Sequence, residues 1–174
     1  MNRRRVLVTG AGGFIGHHLV RYLVEHGYWV RGVDLKRPEF SQSAADEFVI
    51  GDLREQSVCR AILDQPFDEV YQLAADMGGA GYIFTGDHDA CVMHNSATIN
   101  LNMAEVCRLN HVAKVFYSSS ACVYAAEKQT SAAVQALRES DAYPAMPEDG
   151  YGWEKLFSER MCRHFTEDFG IVTR

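Results

Sequence analysis

Val6-Leu7-Val8 is a short apolar run that stops at Gly10. Beyond it Phe14, Ile15, Leu19, Val20 and Leu23 recur at the spacing that lines one face of a helix, and Gly27 closes that helix. A second strand is predicted from Trp29 to Val33, ending at Asp34, and a third at Phe48-Val49-Ile50, followed by Gly51-Asp52-Leu53. A helix is expected over about 55–63, then a fourth strand, Val70-Tyr71-Gln72-Leu73, opening into Ala74-Ala75. Residues 76–87 are rich in glycine and read as loop. A long helix is expected over about 90–110, a fifth strand at Val115-Phe116-Tyr117, an irregular stretch over 121–149 and a helix over 151–168. Gly170-Ile171-Val172-Thr173 begins a sixth strand.

Strands and helices therefore alternate throughout, and the strands are short apolar runs of the kind buried on both faces. That pattern predicts an α/β fold, a doubly wound parallel sheet of the Rossmann type. No internal repeat, linker or low-complexity tract divides residues 1–174, so they read as one domain, with the chain stopping as the sixth strand starts.

Composition narrows the function classes. A chain of 174 residues that is 47% hydrophobic can bury a core of its own. A net charge of -6 leaves no basic surface for nucleic acid or an anionic membrane. Arg3, Arg4 and Arg5 form a basic cluster, read as the solvated lead-in to a strand. No apolar stretch approaches a membrane span, and the start lacks the apolar segment of a signal peptide. Cys59, Cys91, Cys107, Cys122 and Cys162 are scattered without CxxC pairs, which suits a reducing, cytoplasmic setting over a disulfide framework. His88, Cys91 and His94 stand three apart, but no second ligand pair completes a zinc set, so no metal is predicted.

The first turn reads Gly10-Ala11-Gly12-Gly13-Phe14-Ile15-Gly16. Glycines at 10, 13 and 16 allow a tight exit from the strand, close approach to a pyrophosphate and a helix lying near the sheet. The helix start adds unpaired N–H groups and the positive end of its dipole. Asp34, ending the second strand, can accept bonds from both adenosine ribose hydroxyls and repels a 2′-phosphate, so NAD is expected over NADP; Lys36 and Arg37 nearby soften that preference. Asp52 and Leu53 suit the adenine edge and face, with an N-cap as the plain alternative for Asp52. Leu73, Ala74 and Ala75 complete the expected dinucleotide contacts at the end of the fourth strand.

Tyr151 and Lys155, in "YGWEK", share a helix face. A lysine ammonium near a phenol favours the phenolate, which can take a hydroxyl proton while hydride leaves the same carbon for a nicotinamide. Ser120 precedes the pair at the C-terminal end of a strand. Cys122 lies two residues further on. It is either a buried thiol, as cysteine often is, or a base over a ring carbon acidified by a neighbouring ketone, if a cation favours its thiolate.

These residues resemble the extended short-chain dehydrogenase/reductases over the whole chain. The resemblance implies that Ser120 polarises a sugar C4 oxygen, Tyr151 is the acid/base and Lys155 holds the nicotinamide ribose. Asn102 would support the pair through a water. The runs "LAADMGGAGYI", "FYSSSACVY", "LRESDAYPAMPEDGYGWEKL" and "HFTEDFGI" are similar to the GDP-mannose 3,5-epimerase family. In that family the cysteine after the serine is one member of the C3/C5 acid/base pair and the first glycine of the Met-Gly-Gly run lies at the sugar, which implies those roles for Cys122 and Gly78. The resemblance also implies a nucleotide-sugar substrate, GDP-mannose, a homodimer formed through the helices at 90–110 and 151–168, and a longer chain whose C-terminal substrate domain, missing from these residues, carries the rest of the sheet, most nucleotide contacts and a second acid/base lysine. The 174 residues alone are then expected to be inactive. The epimerase/reductases that make GDP-fucose share the Ser-x-Cys arrangement, but their cofactor is NADPH, which Asp34 disfavours. Another NAD-dependent nucleotide-sugar epimerase or dehydratase stays open, as does an NAD-sensing module that would have no use for the Tyr151–Lys155 pair.

Overall fold

The computed structural model describes residues 3–78, 80–83, 85–129 and 136–174. Gly79 of the glycine loop and 130–135 of the irregular stretch lie outside the described residues. The elements are β1 (Arg5–Thr9), α1 (Phe14–Glu25), β2 (Trp29–Asp34), β3 (Glu47–Ile50), α2 (Gln56–Ile62), β4 (Glu69–Gln72), α3 (Ala80–Ile83), α4 (Asp89–Leu109), β5 (Lys114–Tyr117), α5 (Asp149–Phe169) and β6 (Val172–Thr173). The six strands form one sheet in the order β3-β2-β1-β4-β5-β6, every neighbouring pair parallel.

The apolar run of β1 explains the layering. Val6, Leu7 and Val8 are fully buried, and their side chains alternate between the two faces. Leu7 joins Val33, Val70, Ile62, Met103 and Val106 under α2 and α4. Val6 and Val8 join Val20, Leu23 and Val30 under α1. Each such buried aliphatic side chain contributes about 1.5–3 kcal/mol, so a strand with no polar face is stable only as the middle of a three-layer sandwich. Strand order reverses between β1 and β4, and the crevice at that switch point is where ligands gather in such sheets.

Four local differences from the sequence reading follow from tertiary contacts. The segment 76–87 is not all loop: α3 forms inside it, with Ile83 packed on Val92 and Tyr151. The irregular stretch contains 3₁₀ turns at Ala121–Val123, Ala126–Lys128 and Glu139–Ala142. Strand β6 begins two residues later than expected because Gly170, at φ 73°, is the left-handed C-cap of α5. The arginine cluster is more than a solvated lead-in. Arg3 pairs with Asp46 at 2.7 Å, and the Arg5 guanidinium lies 3.6 Å over the Trp29 ring.

Candidate active site

Because all strands are parallel, their C-terminal ends share one edge of the sheet. A cavity of about 390 Å³ opens there. It is lined by Gly10 and Gly13 after β1, residues 34–36 from β2, 51–54 after β3, 73–77 after β4, and Asn95 and Ile99 of α4. Of the expected dinucleotide contacts, Gly10, Gly13, Asp34, Asp52, Leu53, Leu73, Ala74 and Ala75 line it together.

The glycine turn is built by close approach. Gly10 sits at φ +67°, and a Cβ there would lie 2.9 Å from the Leu73 carbonyl carbon. At Gly16 a Cβ would overlap the Gly10 carbonyl. Gly13 is the N-cap of α1 and provides no side-chain cap, so the first N–H groups of the helix are left for a ligand. Phe14 is 75% exposed and lines a neighbouring cavity with Gly12, Gly13 and His17; Ile15 is also exposed, whereas Gly16 is buried beneath the turn.

Backbone donors fix the acid at the end of β2. Asp34 accepts from the Gly12 N–H at 2.9 Å and from the Lys36 N–H at 3.2 Å. Lys36 itself is drawn away to Glu39. Asp52 is not the N-cap: Glu55 occupies that position before α2 and gives it no side-chain cap, while the Asp52 carboxylate binds the Arg54 guanidinium at 2.5 Å, which holds its pKa below the usual range. Asn95 and Asp76 line the cavity without having been singled out in the sequence; Asn95 Nδ2 donates to Asp76 Oδ2 at 2.7 Å and ties the loop after β4 to α4. The i to i+4 spacing of Asn95 and Ile99 was the available signal.

Ser120, Cys122, Tyr151 and Lys155 gather at the start of α5, and none of the four lines the 390 Å³ cavity; Ser120 lines a separate one with Tyr117 and Tyr143. Ser120 caps the 3₁₀ turn Ala121–Val123, accepting from the Cys122 N–H at 3.2 Å. The Cys122 carbonyl accepts from the Glu148 N–H at 3.0 Å, and Gly152 fits against the same carbonyl. Cys122 packs with Tyr82 against Ile83, Val92 and Tyr151. Gly78 is placed by that packing as well, since a Cβ there would lie 2.6 Å from the Tyr82 ring.

The electrostatics depart from the sequence reading. Tyr151 is 8% exposed, and burial pushes its phenol above the usual value against the opposing effect of the Ser120 hydroxyl. Lys155, 3% exposed, does not depress it. Its Nζ donates to the Ser118 carbonyl at 2.9 Å and lies 5.6 Å from the Tyr151 ring centre. The Cys122 thiol is likewise pushed up by burial and by the Glu148 carboxylate, with Ser120 opposing; the expected cation is not among these groups. Asn102 turns away from the pair and donates to the Leu53 and Arg54 carbonyls, both at 3.0 Å. Asn100 is the helix residue that faces α5, donating to Glu154 at 2.8 Å. His88 stacks on Tyr82, Cys91 is exposed and His94 bonds Asn95, so the three do not converge.

The sequence pattern of the NAD dependent epimerase/dehydratase family matches residues 6–174. The chain belongs to this family. GDP-mannose 3,5-epimerase 1 of Oryza sativa subsp. indica is 44% identical over 172 residues, covering 98% of this chain and 44% of the relative. GDP-mannose 3,5-epimerase of Arabidopsis thaliana is 42% identical over 172 residues, 98% of this chain and 45% of the relative. The chain thus spans less than half the length of these curated relatives. Among solved structures, a UDP-galactose 4-epimerase superposes with a TM-score of 0.77 at 31% identity, covering 97% of this chain and 54% of that one. UDP-glucose 4-epimerase from Brucella ovis in complex with NAD gives 0.81 at 25% identity, covering 98% and 50%. The fold and the resemblance read from the motifs are both borne out by these family members.

Proposed function

We propose that residues 1–174 are the NAD-binding Rossmann domain of a nucleotide-sugar epimerase of the GDP-mannose 3,5-epimerase type. The observation that carries the reading is that Ser120, Cys122 and Tyr151 meet at the start of α5, in the same fold whose strand-end crevice is lined by the glycine turn and Asp34. The residues present fit the dinucleotide. The turn leaves no room for side chains at 10 and 16, the start of α1 carries no side-chain cap, and Asp34 is held at the mouth. Asp34 would take the ribose hydroxyls and the turn the pyrophosphate, between Leu53 and 73–75. NAD bound there supplies a hydride acceptor and donor.

The chain's own residues do the rest. Tyr151 takes the proton from the sugar C4 hydroxyl, with the Ser120 hydroxyl bonded to the same oxygen. Lys155 orients the ribose and adds positive charge next to the developing phenolate. The transient ketone acidifies C3 and C5, and Cys122 exchanges a proton there. Its raised pKa keeps it a thiol at neutral pH, which suits the proton-donating half of that exchange. Gly78 lets the loop lie near the sugar. The exposed Leu101 and Leu109 of α4 and Trp153 and Phe157 of α5 suit a homodimer through these helices, in a cytoplasmic enzyme.

Calorimetry tests the cofactor reading on this chain: NAD binds more tightly than NADP, and Asp34→Ala narrows the gap. Tighter binding of NADP would overturn it. The enzyme at the full length of its curated relatives, incubated with GDP-mannose and NAD in deuterated water, takes up deuterium at C3 and C5 by NMR; label at neither position would remove the substrate assignment.

A further inference from the structure

A carboxylate is buried next to the lysine of the Tyr–Lys pair, and neither the fold nor the proposed chemistry accounts for it. Glu154 is 2% exposed. Its Oε1 accepts from Asn100 Nδ2 at 2.8 Å and from the Ser158 hydroxyl at 2.7 Å. Its Oε2 is buried without a hydrogen-bond partner among the described residues, as is the Tyr117 hydroxyl on β5. The donors are themselves held in one orientation. Asn100 Oδ1 accepts from Gln72 Nε2 at 2.8 Å, and Gln72 Oε1 accepts from the Thr9 hydroxyl. Thr9 Oγ1 in turn accepts the Leu73 and Ala74 N–H groups, at 3.1 and 3.2 Å. A continuous chain of buried hydrogen bonds therefore runs from α5 through α4 and β4 to the floor of the glycine turn.

Stability alone does not explain such a group. A buried charge is commonly replaced by an apolar residue of similar volume with no loss, and often a gain, in stability. What stands beside it is a second buried charge. Lys155 is its neighbour in sequence, but successive helix residues point in different directions. Glu154 faces α4, while Lys155 reaches β5 to donate to the Ser118 carbonyl. The two thus interact through low-dielectric protein rather than by contact. Burial favours the neutral amine of Lys155, and the carboxylates of Glu154 and then Glu159 oppose it.

We propose that Glu154 is a positioning residue, the buried counter-charge that keeps Lys155 an ammonium beside Tyr151 and is itself oriented by the Asn100–Gln72–Thr9 chain. The inference rests on the reading of Tyr151 and Lys155 as the hydride-transfer pair. The groups facing this region are Tyr117 from β5 and the Ser118 carbonyl just after it, Asn100 from α4, and Tyr151, Ser158 and Glu159 from α5. Lys155 is the one cation of this region among the described residues, and Glu159 is partly exposed and bound to the Ser119 hydroxyl.

The test is a pH titration of the chain labelled with ¹³C at lysine Cε, followed by NMR. Lys36, Lys114, Lys128 and Lys155 are its lysines, so the signals are few. Lys155 in the wild type remains charged at pH 7, and in Glu154→Gln its titration moves to lower pH while the other lysines are unmoved. An unchanged Lys155 titration in Glu154→Gln overturns the proposal. A neutral Lys155 at pH 7 in the wild type also overturns it, and that measurement stands even if the variant fails to fold. NAD calorimetry on the wild-type sample separates the two readings: absence of NAD binding sinks the functional assignment, while the lysine titration continues to report on the counter-charge alone.

Discussion

Two glycines of the first turn should fail in opposite ways when given a methyl group. Gly16 lies inside α1, where alanine gains about 1 kcal/mol over glycine from helix propensity. Against that, a Cβ at Gly16 would overlap the Gly10 carbonyl oxygen, and would lie 2.7 Å from the Gly10 carbonyl carbon and 2.9 Å from Ala11 Cα. These are backbone atoms of a turn already stitched in place, with the Gly13 N–H on the Gly10 carbonyl and the Ala11 N–H on the Val33 carbonyl, both at 3.1 Å. Overpacking a rigid site costs about 1–3 kcal/mol. The upper end applies here, because no side chain can swing aside. The net loss for Gly16→Ala is about 2 kcal/mol, which in a chain of this size lowers Tm by about 4–8 °C. At Gly13 the nearest atom to a Cβ is the Gly10 oxygen at 3.4 Å, an ordinary contact, and the methyl would stand at the cavity wall. Replacing the N-cap glycine by alanine costs about 1 kcal/mol at most. Gly13→Ala should therefore fold with a small change in Tm yet bind NAD at least about tenfold more weakly, a loss of about 1.4 kcal/mol. Scanning calorimetry and NAD titration on both variants decide the matter. A Gly16→Ala chain as stable as the wild type, or a Gly13→Ala chain with wild-type NAD affinity, would refute the reasoning.

Alkylation by iodoacetamide, followed by peptide mass spectrometry, should show Cys122 reacting with a pH midpoint above that of an ordinary thiol, and Glu148→Gln should move the midpoint down. Gly152→Ala should lower Tm and speed alkylation of Cys122, since a Cβ there would meet the Cys122 carbonyl and Pro147 and push the start of α5 outward. For Asp46, burial pushes the carboxyl up, but the Arg3 guanidinium and the Val30 N–H outweigh it and hold the folded pKa below the unfolded value of about 3.9. Its contribution is thus full above about pH 4 and is lost as pH falls through the folded value; acid denaturation of Asp46→Asn should start from lower stability at pH 7 and fall less steeply below pH 4.

The elements readable from sequence are those whose cause is local. Val6-Leu7-Val8 has no polar face, so it could only be an interior strand. The glycine turn, Asp34 and the Tyr151–Lys155 spacing were legible because each follows from a steric or helical requirement carried by the residues themselves. What was not legible depends on which neighbours the fold brings up. Asn100 and Asn102 are two residues apart on one helix and point to different sides of it. Only the packing of α4 on α5 makes Asn100 the partner of Glu154 and sends Asn102 to Leu53. The phenol of Tyr151 was expected low because a lysine stands one helical turn away. It lies high because the lysine reaches past it to Ser118 and leaves burial to dominate. Helix α3 forms within a glycine-rich segment because Ile83 has Val92 and Tyr151 to pack against.

The choice posed for Cys122, a core thiol or a reacting one, dissolves when its surroundings are followed outward. The side chain does what a core residue does, filling space with Ile83, Val92 and Tyr151. Its backbone does something a core residue has no need of. The N–H is bound to Ser120, the carbonyl takes the Glu148 N–H just before Tyr151, and the same carbonyl abuts Gly152 just after it. The serine hydroxyl is thereby held on the Cys122 main chain, and the thiol and the phenol are spaced by main-chain contacts from residues 148 and 152 to the Cys122 carbonyl. Burial then has a chemical consequence and not only a structural one. It holds both Tyr151 and Cys122 in their protonated forms, so neither group is a ready base in this resting arrangement. Each loses its proton readily only where another charge favours the anion. For Tyr151 the buried cation available is Lys155, and Glu154 is placed to keep it one. For Cys122 the nearby charge is the Glu148 carboxylate, which disfavours the thiolate. The two residues share a degree of burial, and the sign of the neighbouring charge separates them, which within the proposed function assigns proton acceptance to Tyr151 and proton donation to Cys122.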